Sequence, residues 1–160
     1  MGDLPYSILH LQLAGNKNVN VDKLPNSIKT LILTNEFNTS IDNLPSLIET
    51  LKTSGHFTQS IDKLPNSRKY LKLCGQFDRS INRLSNSILH LKLGNKFNKL
   101  IKKLPNSITH LKIGIKFRKK LDELPYSITH LKLTNYELHW DEKLENLPDS
   151  ITHLKIRFIQ

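Results

Sequence analysis

Leu104-Pro105-Asn106-Ser107-Ile108-Thr109-His110-Leu111-Lys112-Ile113 decides the fold of this chain, because nearly the same ten residues return along its whole length. Leu-Pro stands at 4–5, 24–25, 44–45, 64–65, 104–105 and 124–125, and Leu84-Ser85 fills the missing place, so seven phrases follow one another at intervals of 20 residues. An eighth, Leu147-Pro148, comes after an interval of 23. All seven prolines of the chain occupy this one position. Self-similarity at such a period is the mark of a repeat architecture, in which each unit buries its apolar face only against its neighbours.

Within the phrase, Leu111 and Ile113 alternate with His110 and Lys112, the period of two expected of a strand. A 20-residue unit leaves no room for a helix beside a strand and two turns. The return path is therefore extended, or a tight 3₁₀-type turn, which suits Pro and the residue before it. Gly15, Asn35, Gly55, Gly75, Asn95 and Asn135 follow the strands and are residues that tolerate positive φ. The phrase serine is expected to bond local backbone in its turn. Further apolar columns run through Phe37, Phe57, Phe77, Phe97 and Phe117, and through Val21, Ile41, Ile61, Ile81, Ile101 and Leu121.

The pattern Ile-x-x-Leu-x-Leu resembles the leucine-rich repeat. The phrase 104–113, with Phe97-Asn98-x-x-Ile101 and Phe37-Asn38-x-x-Ile41, resembles more closely the FNIP repeat family of amoebae and their giant viruses. Bacterial effector-type leucine-rich repeats with one Leu-Pro per coil are also similar. The FNIP resemblance implies a protein-interaction solenoid without catalytic residues. Many members of that family are thought to carry an F-box near the N-terminus. Here the repeats begin at Leu4, so a ubiquitin-ligase role would require a separate adaptor. The expected fold is a β-rich solenoid over residues 1–160, a single domain. It is a right-handed, leucine-rich-repeat-like coil of about eight turns, with one short parallel strand per 20-residue repeat and little or no α-helix.

Composition agrees with a narrow coil. Apolar residues make up 38%, and 24 Lys and Arg face 14 acidic residues, for a formal charge of +10. That balance favours acidic partners or nucleic acid. Cys74 is the only cysteine, which suits a reducing, intracellular setting in cytoplasm or nucleus. No apolar run approaches the roughly 18–20 residues of a membrane span. Secretion is not expected, because the start of the chain shows neither a basic n-region nor an apolar h-region.

The repeat breaks in places. Thr53 replaces a strand leucine, Leu47 stands in the serine place and Arg68 takes an isoleucine place. Arg68 is expected to lay its stem on apolar surface with its charge in water. Lys17 occupies the first unit's Phe position, and the strand around His10 to Leu13 is expected to be an exposed edge able to pair with another chain. The long final interval holds Tyr136 to Glu142 and the single Trp140. Residues 134–160 are expected to cap the C-terminal end, since solenoid ends need cover.

Two outward columns carry what the sequence says of function. One reads Lys52, Lys72, Lys92, Lys112, Lys132 and Lys155, after Gln12 and Ile32; its neighbour reads Tyr70, His90, His110, His130 and His153, after His10, Thr30 and Thr50. Unit charges stacked about 4.8 Å apart repel by roughly 0.9 kcal/mol even in bulk water. Such a strip is either a solvated face copied by duplication or an anion-binding face. Residues 79–120 add twelve basic residues and no acidic one, as a belt over several faces. A His column beside lysines is poorly suited to a metal, and no cofactor is expected. It is better suited to a response to pH. Cys74 has no partner pattern that would activate it, and no phosphate loop or paired-carboxylate site appears, so an enzyme is not expected.

The leading expectation is a non-catalytic protein-interaction scaffold that binds an acidic protein partner through these eleven side chains. The alternatives are a nucleic-acid or other polyanion-binding module, with Tyr70 as its stacking residue, and self-association through the N-terminal edge strand.

Overall fold

The structure is a computed structural model and describes residues 4–15, 19–135, 144 and 146–158. Each phrase forms one strand: β1 (His10–Gly15), β2 (Thr30–Asn35), β3 (Thr50–Thr53), β4 (Tyr70–Leu73), β5 (His90–Leu93), β6 (His110–Ile113), β7 (His130–Asn135) and β8 (His153–Phe158). They make one parallel sheet of eight strands in sequence order. The register steps by one repeat at each pairing, as in His90↔His110 and Lys92↔Lys112. The longer last interval keeps it, with His130↔His153 and Lys132↔Lys155, so the three extra residues lie between the strands. Among the described residues only Leu144 has helical conformation, and the regular elements are all strands.

The coil closes on the phrase. Ile108 N–H donates to Pro105 O (3.2 Å) and Ile128 N–H to Pro125 O (3.1 Å), a tight turn that brings the isoleucine inward. Proline suits it because its φ is fixed and it needs no donor there. The sequence-based expectation that the serine bonds its own turn is not met in five coils; Ser87 stays within its turn, 2.7 Å from Ser85 Oγ. Ser107 Oγ donates to Ile88 O at 2.7 Å and Ser127 Oγ to Ile108 O at 2.8 Å, each reaching one coil back. Ser27, Ser67 and Ser150 do the same. The serine therefore ties coils together.

The interior is a set of ladders. Leu31, Leu51, Leu71, Leu91, Leu111 and Leu131 are at most 2% exposed. Phe37, Phe57, Phe77, Phe97 and Phe117 are fully buried, and their rings stack at 6.2–6.4 Å between centroids. Of the positive-φ candidates, Asn35, Gly55 and Gly75 adopt that conformation. At Gly55 a side chain would also run into the Asn35 carbonyl oxygen, so glycine is demanded there twice over.

Arg68 departs from expectation. Its side chain is buried, 1% exposed, rather than reaching water. Nη1 donates to Pro65 O at 2.7 Å, while Nε and Nη2 have no partner, nor does the buried Thr53 hydroxyl. The inward isoleucine position leaves a long side chain no route to solvent, and burial lowers the guanidinium pKa to about 10.

At the outer strands the ladders are less covered. Leu11 and Leu13 on β1 are half-buried, and Leu154 on β8 is 47% exposed. Lys17, the Trp140 segment and Gln160 lie outside the described residues, and with them most of the expected C-terminal cap.

Candidate functional site

Strand alternation sends residues one and three of each four-residue strand core to the open face of the sheet. Parallel in-register pairing then stacks like on like. His90–His110, His110–His130 and His130–His153 have ring centroids 4.2, 4.1 and 4.1 Å apart, with interplanar angles of 22°, 13° and 6°. Tyr70 continues the column 6.0 Å from His90, and Lys52 Nζ lies 5.5 Å from the Tyr70 ring centroid, within cation–π reach.

These columns line a groove of about 750 Å³ over β4–β8. Its walls include Tyr70, the four histidines and Lys92, Lys112, Lys132 and Lys155, and no acidic residue among those described. Nine of the eleven side chains expected from the sequence thus meet in one place. Lys52 and Lys72 share the register but are not part of the wall; they continue the lysine column toward the N-terminus.

The electrostatics follow first from partial desolvation of the face and second from its crowded like charges. Lys112 has a lowered pKa, first because it is partly desolvated, then because Lys92 and Lys132 flank it. His110 is lowered by desolvation and then by His90 and His153. His130 is lowered by desolvation and then by His110 and His153. The lysines hold the face cationic, while His110 and His130 favour the neutral form.

One group of site residues had not been singled out. Thr109, Thr129 and Thr152 each precede a column histidine, and each Oγ1 lies 2.9 Å from that ring's Nδ1. The signal was the Thr-His pair at 109–110, 129–130 and 152–153, against Leu89-His90 and Leu9-His10.

The basic belt is less uniform than its sequence. Lys99 pairs with Asp78 (3.2 Å) and Lys102 with Glu123 (3.1 Å), acids that lie outside 79–120. A flank hollow of about 280 Å³ includes Asp122 and Glu123, and another of about 540 Å³ includes Asp78. The strand-face groove is the acid-free one of these three. Among the described residues no group of three or more His, Cys, Asp or Glu is arranged to hold a metal ion. No described helix is long and apolar enough to cross a membrane.

With this geometry in view, comparison with known proteins places the class. Residues 77–116 match the FNIP Repeat family. The fold is similar to that in the crystal structure of CroV588, a circular leucine-rich-repeat protein of a giant virus, with TM-score 0.76 and 28% identity over 98% of this chain. The chain spans 28% of that protein's length. No curated protein matches it in sequence. The molecule is a leucine-rich-repeat-like parallel solenoid, and its residues 77–116 are similar to the FNIP Repeat.

Proposed function

We propose that the chain is a non-catalytic interaction scaffold that binds an acidic protein partner across the strand face of β4–β8. The observation that carries this reading is the groove of about 750 Å³ walled by lysines and histidines, with no acid among the described lining residues. Solenoids of this kind generally serve protein interaction. Complementary charge would steer an acidic partner to the face and fix its register. The lysines supply the charge, and their apolar stems, with the stacked rings, supply contact area. A half-buried free Cys74 is consistent with a reducing, intracellular compartment.

A polyanion such as single-stranded nucleic acid is the second reading, favoured by Tyr70, the one phenol in the column, which offers a stacking surface beside Lys52. Self-association along β1 is the third, favoured by the partial exposure of Leu11 and Leu13.

The test is the triple substitution Lys92→Glu, Lys112→Glu and Lys132→Glu. We expect it to abolish retention of acidic proteins from a nuclease-treated extract while the circular dichroism spectrum is unchanged. Retention that survives the substitution contradicts the strand-face reading. Retention lost on nuclease treatment alone favours nucleic acid, and a size that grows with concentration favours self-association.

A further inference from the structure

The column histidines are held by threonines in a way that bears on how the groove takes an anion. Thr109 Oγ1 is 2.9 Å from His110 Nδ1 and 3.3 Å from Leu89 O. The same pair of distances recurs at Thr129, toward His130 Nδ1 and Thr109 O, and at Thr152, toward His153 Nδ1 and Thr129 O. A hydroxyl has one proton to place. The carbonyl is already served: Leu89 O accepts Thr109 N–H at 2.9 Å and His110 N–H at 3.1 Å. Thr109 O and Thr129 O each accept two backbone N–H groups in the same manner. A gap of 3.3 Å is also long for O–H···O, whereas 2.9 Å to nitrogen is ordinary.

We infer that Thr109, Thr129 and Thr152 are positioning residues that donate to Nδ1 of the next histidine, leaving three neutral rings with Nε2–H donors lining the groove for the carboxylates of an acidic partner. The inference rests on the acidic-partner reading above and explains how a histidine column serves an anion without being charged. Imidazolium ions stacked at 4.1 Å would repel one another and the neighbouring Lys92, Lys112, Lys132 and Lys155. Neutral donors avoid that repulsion and still bond carboxylates. By strand alternation the other titratable groups of the face include His10, Lys52, Tyr70, Lys72, His90 and Arg157. Glu49, in the register place of the threonines, is paired with Lys29 and Lys69, and among the described residues no acid lines the groove to compete for these donors.

The hydroxyl also accommodates protonation. When Nδ1 gains a proton it donates to Oγ1, and the hydroxyl proton turns onto the carbonyl 3.3 Å away. Ring orientation survives the change. Affinity for carboxylates therefore persists above the histidine titration range and increases below it. His90 follows Leu89 rather than a threonine, and serves as an internal control.

The experiment is long-range proton–nitrogen NMR of the full chain, without ligand, at a pH above the histidine titration. We expect His110, His130 and His153 in the Nε2–H form and His90 in a mixture. A dominant Nδ1–H form in the three rings overturns the inference. In the second arm a polyglutamate peptide is titrated at the same pH into wild type, Thr129→Val and Thr129→Ser. Valine should weaken binding by about two- to tenfold, the range for one lost hydrogen bond, and shift the His130 signals. Serine should restore both. Equal binding and unchanged His130 signals in the valine variant overturn the inference. Failure of wild type to bind the peptide contradicts the acidic-partner reading instead, and the ligand-free spectra still decide the tautomer.

Discussion

Arg68 shows what one residue does to a repeat. It occupies the place of Ile48 and Ile88, is shut inside the coil, and leaves Nε and Nη2 without partners. Unsatisfied buried donors cost roughly 1–3 kcal/mol. Arg68→Ile is therefore expected to stabilise the fold by about that amount, measured as a higher urea midpoint. A lower midpoint would show that the guanidinium fills space an isoleucine leaves empty. Pairing it with Thr53→Leu removes the orphaned hydroxyl as well, and the double variant should be the more stable. The substitution itself was visible in the sequence; its burial was not. An arginine at an inward position reads equally well as a snorkelling one, and only the closed cross-section of the coil decides between them.

At the scale of the element, the strand and its register were fully legible. A fixed interval of 20 residues places each Leu-x-Leu beside the next, and the paired residues follow the phrase spacing. The serine was misread because sequence separation hides spatial adjacency. Ile88 O is 19 residues from Ser107 and 2.7 Å away. Ser107→Ala should cost about 1 kcal/mol, measured by urea unfolding, by loss of one inter-coil hydrogen bond. The phenylalanine ladder holds more. Phe97→Ala empties a fully buried position between Phe77 and Phe117, and should cost about 3–5 kcal/mol. If Phe97→Ala proved no worse than Ser107→Ala, the ring ladder would not be the core of the coil. The Thr–His pairing escaped the sequence reading for a different reason: two adjacent polar residues report no geometry until the backbone aims both side chains.

At the scale of the whole molecule, the lysine and histidine columns were legible because every coil repeats the same outward positions. The groove they form over β4–β8 was not, nor were the pairings of Lys99 with Asp78 and Lys102 with Glu123, which depend on neighbours brought in from adjacent coils. Desolvation, with crowding second, also makes the free protein sensitive to acid. His110 and His130 have folded pKa values below 6.5, so as pH falls through that value the unfolded chain binds protons first. Stability is full above 6.5 and declines below it, toward the lower folded values. Thermal melts across that window should show the decline, and replacing both histidines with Gln should flatten it. The central claim is that the acid-free strand face takes an acidic partner. It is tested most directly by mapping amide shifts of the full chain on titration with a polyglutamate peptide. The account predicts that the perturbed residues cluster on β4–β8 around His110, Lys112, His130 and Lys132. Shifts confined to the flank around Lys96 and Lys116, or no shifts at all, would contradict it.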